Sequence, residues 1–198
     1  MRLRNTAAMS ACSFVLGLTV MLATAAPAGA AAPIPAKGHA TFCLTTAAVT
    51  NLNSMGVHMT AVAPATLSES GPTPCVTTPI TEGSLTVTPL EGSFPLNGGI
   101  DFTRTDDNQN LGFSNLVDDL TGRKFTAETV INGGAPTTID ILTYQLTSQN
   151  VHVGTTGIDI TGPANTTSAM SGAFYEAYSN YAVNTGQALF DVTVHLDL

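Results

Sequence analysis

The clearest pattern in the chain lies near its C-terminal end. Ala188, Phe190, Val192, Val194, Leu196 and Leu198 alternate with Leu189, Asp191, Thr193, His195 and Asp197. Successive strand side chains point to opposite faces, so this period of two predicts a half-buried β-strand with one apolar face. Shorter runs of the same kind recur upstream. Residues 39–45 open the series, and Leu85 and Val87 then alternate with Thr86 and Thr88 until Pro89 ends the run. Ile100 and Phe102 follow Asn97-Gly98-Gly99, which reads as a turn, and further strands are predicted at 111–116 and 124–131. Asn132-Gly133-Gly134 then reads as a hairpin break, because Asn and Gly accept positive φ cheaply. Residues 138–146 predict a long strand covered on both faces, since Ile139, Ile141, Leu142, Tyr144 and Leu146 are all apolar or aromatic. The Pro-, Thr-, Ser- and Gly-rich stretch 62–79 predicts an extended loop.

One segment has a different period. Between 168 and 180 there is no Pro and little β-branching, and Met170, Phe174, Ala177, Tyr178 and Tyr181 fall at helical spacing after the capping candidates Thr166, Thr167 and Ser168. A short amphipathic helix is predicted there, with its aromatic stripe against the sheet. Many short strands and a single helix predict a mainly β fold, an antiparallel sandwich or barrel-like sheet with one short α-helix in the C-terminal region.

Hydropathy near the N-terminus changes what belongs to that fold. Arg2 and Arg4 precede an apolar stretch from about residue 7 to 26, and Ala28-Gly29-Ala30 presents the small residues of a signal-peptidase site. Residues 1–30 are therefore read as a secretory signal peptide, 31–38 as a flexible lead and 39–198 as one β-rich domain, with cleavage after Ala30 and Ala26 or Ala32 as alternatives. A secreted, extracellular product with no membrane span after cleavage is expected. Cys12 leaves with the signal, and Cys43 and Cys75 remain as an even pair, which predicts one disulfide in an oxidising compartment. After cleavage Lys37, Arg104, Arg123 and Lys124 face fourteen acidic residues, a net charge of about −10. Such a surface repels phosphate backbones, so nucleic acid is not expected as a partner.

Candidate chemistry is sparse. His39, His58, His152 and His195 have no metal-ligand spacing, and no GxSxG elbow is present. The acidic pairs Asp106-Asp107 and Asp118-Asp119 are adjacent in sequence, so on a strand their side chains point apart. Asp106, Asn108 and Asn110 have the alternate spacing of a calcium loop. Gly112 then comes one position late and Val117 occupies the twelfth position, which leaves a polar hairpin tip as the reading. No catalytic residue, metal ligand or cofactor is assigned, and the reading is a non-enzymatic β domain that binds a ligand or partner or works at the cell envelope. Two alternatives stand beside it: haem or small-ligand capture using Tyr175, Tyr178, Tyr181 or a His, and a hydrolase with a noncontiguous site.

Several short stretches carry a resemblance: Gly83-Ser84-Leu85, Gly98-Gly99-Ile100-Asp101-Phe102, Leu111-Gly112-Phe113-Ser114-Asn115-Leu116, Asp119-Leu120-Thr121-Gly122, Phe125-Thr126-Ala127 and the segment 174–196. Together they resemble small secreted actinobacterial proteins and, distantly, HtaA-type cell-surface domains. That resemblance implies a β-rich fold and, for some members, haem binding. The family's aromatic motif with a haem-ligating Tyr has no counterpart here, and Thr103-Arg104-Thr105 stands where a His is expected, so no haem ligand carries over.

Overall fold

Among the described residues every strand pairs antiparallel, and the pairing order explains why sequence-distant residues meet. The structure is a computed structural model that describes residues 33–180 and 183–197; the predicted signal segment, Cys12, Tyr181 and Leu198 lie outside them. In chain order the elements are β1 (Ile34–Pro35), β2 (Lys37–Leu44), α1 (Thr46–Ser54), β3 (Val57–Val62), β4 (Thr66–Ser68), β5 (Cys75–Ile80), β6 (Ser84–Val87) and β7 (Leu90–Arg104). They continue as β8 (Asn110–Asp119), β9 (Lys124–Ile131), β10 (Thr137–Thr143), β11 (Val151–Val153), β12 (Gly157–Thr166), α2 (Ser168–Tyr178) and β13 (Ala188–Asp197). The spatial order is β1-β6-β7-β8-β9-β10-β12-β13-β2-β5-β4, with β11 added to β12 and β3 to β7. The sheet curls into a half-barrel, so the expected mainly β, barrel-like class holds.

The inner face carries the core. Phe42, Phe94, Phe102, Phe113, Phe125, Phe174 and Phe190 are buried to 1% exposure or less apart from Phe113 at 2%. Phe102 packs edge-on against Phe113 and Phe174 at centroid distances of 6.2 and 5.2 Å, the arrangement that ring quadrupoles favour. β13 follows its predicted alternation, with Phe190, Val192, Val194 and Leu196 buried and Asp191, Thr193 and Asp197 outside. Cys43 and Cys75 are register partners on β2 and β5 and form the expected disulfide.

Four local expectations are corrected, the first two by bulges. Asn97-Gly98-Gly99 is not a turn: it lies inside the fifteen-residue β7, where the register against β8 shifts between Leu96 and Gly99 and Gly98 takes φ +99°. Residues 138–146 are not covered on both faces. A shift between Asp140 and Leu142 brings Ile141 and Leu142 to the inside together, while Thr138 and Asp140 stay exposed, and the strand ends at Thr143. The stretch 62–79 contains β4 and β5 rather than a single loop. β4 pairs only with residues 75–77, so Pro79 sits beyond its reach and its missing N–H interrupts no ladder there. Of the lead expected over 31–38, the part from Ile34 onward already joins the sheet, because Ile34 and Pro35 pair with Leu85 and Ser84 and Lys37 begins β2.

Among the described residues two helices flank the sheet. α1 was not legible in the Thr- and Asn-rich stretch it occupies; it is capped by Thr45, whose side chain accepts from Ala48 N, and it buries Ala48 and Leu52. α2 matches its prediction closely. Thr167 caps it by accepting from Met170 N, and Ser179 ends it in the left-handed region at φ 55°. Met170, Phe174, Ala177 and Tyr178 are buried as the helical spacing requires.

Candidate functional site

An incompletely satisfied polar group lies near each end of β9. Among the described residues, Asp118 Oδ2 and Thr129 Oγ1 are the buried side-chain oxygens with no hydrogen-bond partner. Buried polar atoms of this kind are uncommon and call for a physical account. Thr129 lies near the β9–β10 hairpin, and Asp118, whose register partner is Phe125, lies near the β8–β9 turn.

The Thr129 end is a groove. Thr129, Ile131, Thr137 and Ile139 of the hairpin form one wall, and Ala169, Gly172, Ala173 and Glu176 of α2 form the other. The helical residues recur at i, i+3, i+4 and i+7 and so line one face. They are small except for Glu176, which keeps the helix backbone close to the space between the walls. The groove measures about 460 Å³, within the range of ordinary small-molecule sites. A Cβ built on Gly172 meets nothing within 4 Å, so the helix opens directly onto this space.

Polar contacts fix the helix that forms this wall. The Tyr178 hydroxyl donates to Phe102 O at 2.7 Å, Arg104 Nη1 donates to Tyr178 O at 3.0 Å, and Ser171 Oγ donates to Val183 O at 2.7 Å. Asn132, in the hairpin turn, donates to Ala177 O at 3.3 Å while its Oδ1 accepts from Asn110 N at 2.8 Å. The groove is thus held open by a helix tied at several points.

The Asp118 end is narrower. Asp118 is fully buried, and the Tyr144 hydroxyl donates to its Oδ1 at 2.6 Å. Burial raises the carboxyl to a pKa of about 7, opposed by the bond from Tyr144 and reinforced by the charge of Asp119. Burial likewise pushes the Tyr144 phenol well above its ordinary value, with Asp118 adding to the shift. Asp118 faces inward because of a bulge. Asn115 takes φ 49° and β8 shifts register against β9 between Ser114 and Val117. Inward burial therefore passes from Leu111 and Phe113 to Leu116 and Asp118, and Asp119 is left on the outer side.

The sequence candidates lie elsewhere. His195 Nδ1 is 2.6 Å from Asp159 Oδ1 and Nε2 is 3.3 Å from Asp197 Oδ1, and its ring centroid stands 5.4 Å from that of His39. The hydrogen bond to Asp159 is the main cause of a raised His195 pKa. His152 is exposed on β11, and exposed His58 borders a small pocket of about 50 Å³ beside α1. Both oxygens of Asp107 bind Arg104, at 3.0 and 2.6 Å, and Asn110 donates to Phe102 O and Thr103 Oγ1. This loop is a salt-bridged hairpin tip, and among the described residues no three His, Cys, Asp or Glu side chains group as a metal site. Tyr178 is committed to the core. Tyr175 is 46% exposed on the flank of α2, one position before Glu176. Sequence reasoning missed Thr129 and the burial of Asp118: a Thr inside a strand carries no signal of its own, and the bulge at Asn115 hides which member of Asp118-Asp119 turns inward.

No protein-family model and no curated protein matches the chain. Among solved structures, the C-terminal domain of HtaA from Corynebacterium glutamicum superposes with a TM-score of 0.59 at 15% identity, covering 83% of this chain and 99% of that one. The heme-binding protein HtaB from the same organism gives a TM-score of 0.54 at 14% identity, covering 84% and 96%. The resemblance seen in the sequence is thus a likeness of fold: the chain has the architecture of the HtaA C-terminal domain.

Proposed function

We propose that this is an exported small-molecule-binding domain whose site is the groove between α2 and the β9–β10 hairpin. The observation that carries the reading is the buried, unpartnered Thr129 hydroxyl at the wall of a 460 Å³ groove bordered by small and apolar residues. Apolar walls with a few polar groups are what a small-molecule site needs. Export is supported by the predicted signal and the Cys43–Cys75 disulfide. Among the described residues no helix is long and apolar enough to cross a membrane.

Because HtaB is a heme-binding protein, a porphyrin is the first ligand class to test. The groove residues fit the ring better than its iron, since none of them is a His, Met, Cys or Tyr. The reading therefore expects iron-independent binding. Titration with haem and with metal-free protoporphyrin, followed by absorbance and fluorescence, is expected to give similar affinities. Gly172→Trp, which fills the groove, is expected to weaken both at least tenfold. Binding of neither compound, or binding unchanged in Gly172→Trp, overturns the groove porphyrin site. A second reading is favoured by the exposure of Tyr175 beside the groove: ligation of haem iron by its phenolate. It predicts binding of haem alone, lost in Tyr175→Phe.

A further inference from the structure

The segment 144–150 joins β10 to β11 and crosses the end of the half-barrel that holds Asp118. Backbone bonds anchor it at both ends, Tyr144 N to Arg123 O at 3.1 Å and Thr161 N to Asn150 O at 2.9 Å. Within it Asn150 accepts from Thr147 N at 2.6 Å and donates to Gln145 O at 2.5 Å, so the strap is a preformed turn. Tyr144 carries the strap's reach into the interior, through its hydroxyl to Asp118 Oδ1.

Beneath the strap is a cavity of about 20 Å³, bordered by Asp118, Tyr144, Gln145, Asn150, Phe125 and Thr161. Its volume admits about one water molecule. A neutral Asp118 needs little more than this: Oδ1 accepts from Tyr144, and a proton on Oδ2 can be shared with one water or a neighbouring oxygen. An ionised Asp118 needs several donors, and Tyr144 together with a single water falls short of them.

We propose that the strap 144–150 is a proton-operated latch, closed over the barrel end while Asp118 is protonated and released to admit water when Asp118 ionises. Ionisation strengthens the bond from Tyr144, which opposes release, but the cost of desolvating the carboxylate is the larger effect, as its raised pKa indicates. The other ionisable groups whose charges reach the pair are Asp119 on β8, which disfavours a second negative charge, and Arg123 in the β8–β9 turn, which acts on Tyr144. The latch is independent of the groove on α2.

The sign follows from linkage. The closed form holds the Asp118 proton up to pH about 7, and an opened, hydrated carboxyl releases it near pH 4. Between these values the open fraction is expected to rise about tenfold per pH unit, and above the upper one it levels off.

Amide hydrogen exchange of the full chain, corrected for intrinsic rates, tests this. Protection of the Tyr144 and Thr161 amides is expected to fall about tenfold per unit from pH 5 to 7 and then flatten, and in Asp118→Asn to lose that dependence. Flat protection in the wild type, the same slope in the variant, or strap amides exchanging at the rate of the β13 core amides overturns the latch. If Asp118→Asn does not fold, the carboxyl carbon resonance of wild-type Asp118 decides. Titration near neutrality together with shifts at the Tyr144 and Thr161 amides supports the latch, and titration near pH 4 overturns it.

Discussion

His195 and Asp159 face each other across β13 and β12 as register partners, with Nδ1 of the imidazole 2.6 Å from Oδ1 of the carboxylate. Asp197 approaches the other ring nitrogen at 3.3 Å, so a protonated His195 serves both acids at once. The acids hold the proton, and the folded pKa lies above the ordinary 6.5. A raised histidine contributes stability that is fully present below the unfolded pKa and lost as pH rises through the folded one. Urea midpoints are therefore expected to fall slightly between pH 6 and 8.5, and His195→Gln to remove that part of the slope. The side chain is about one-third exposed, so the effect stays below about 1 kcal/mol. A slope unchanged in the variant rejects this pairing as a source of stability.

Cys43 and Cys75 close a loop with a sequence separation of 32 across β2 and β5. In the chain-entropy account a loop of this size stabilises by about 3–4 kcal/mol through restriction of the unfolded chain. The double variant Cys43→Ala/Cys75→Ala is expected to lose that amount in chemical denaturation. A loss below about 1 kcal/mol shows that the two strands hold themselves together without the bridge.

Phe102 joins the helix to the sheet: its ring meets Phe113, Phe174 and Phe190, and its backbone oxygen accepts from Tyr178. It is fully buried, and Phe102→Ala leaves a cavity where several rings converge. The expected cost is about 3–5 kcal/mol, with α2 loosened first. Thermal unfolding checks the cost, and amide exchange along α2 checks the loosening. A cost under 1.5 kcal/mol indicates that the rings collapse into the gap.

What could be read in advance was what depends on neighbours in sequence. β13 alternates from Phe190 to Asp197 after a start at which Leu189 and Phe190 are both buried, β9 fits its predicted bounds, and α2 has both its cap at Thr167 and its buried stripe in the local pattern. What escaped depends on register between strands. The bulge at Asn97-Gly98 looks like a turn in sequence, because positive φ serves both structures. The bulge at Asn115 reverses which acid of Asp118-Asp119 is buried, and no local count shows that. The groove is further still from the sequence, since it exists only where α2 is laid beside a hairpin some forty residues earlier in the chain.

Gly172 offers the sharpest separation of stability from binding. It sits in the interior of α2, where glycine costs up to about 1 kcal/mol relative to alanine because it gives up more backbone freedom on folding. Nothing in the fold requires it there: its φ is not positive, and an added Cβ meets no atom within 4 Å. Gly172→Ala is therefore expected to raise the unfolding free energy by about 0.5–1 kcal/mol. The same methyl group enters the groove beside Ala169 and Ala173, so any ligand seated against the helix backbone loses contact and binds more weakly. Denaturation and porphyrin titration of this one variant thus read in opposite directions. A variant that is more stable and binds unchanged places the ligand away from α2, whereas a variant that gains no stability means that Gly172 is already compensated within the helix.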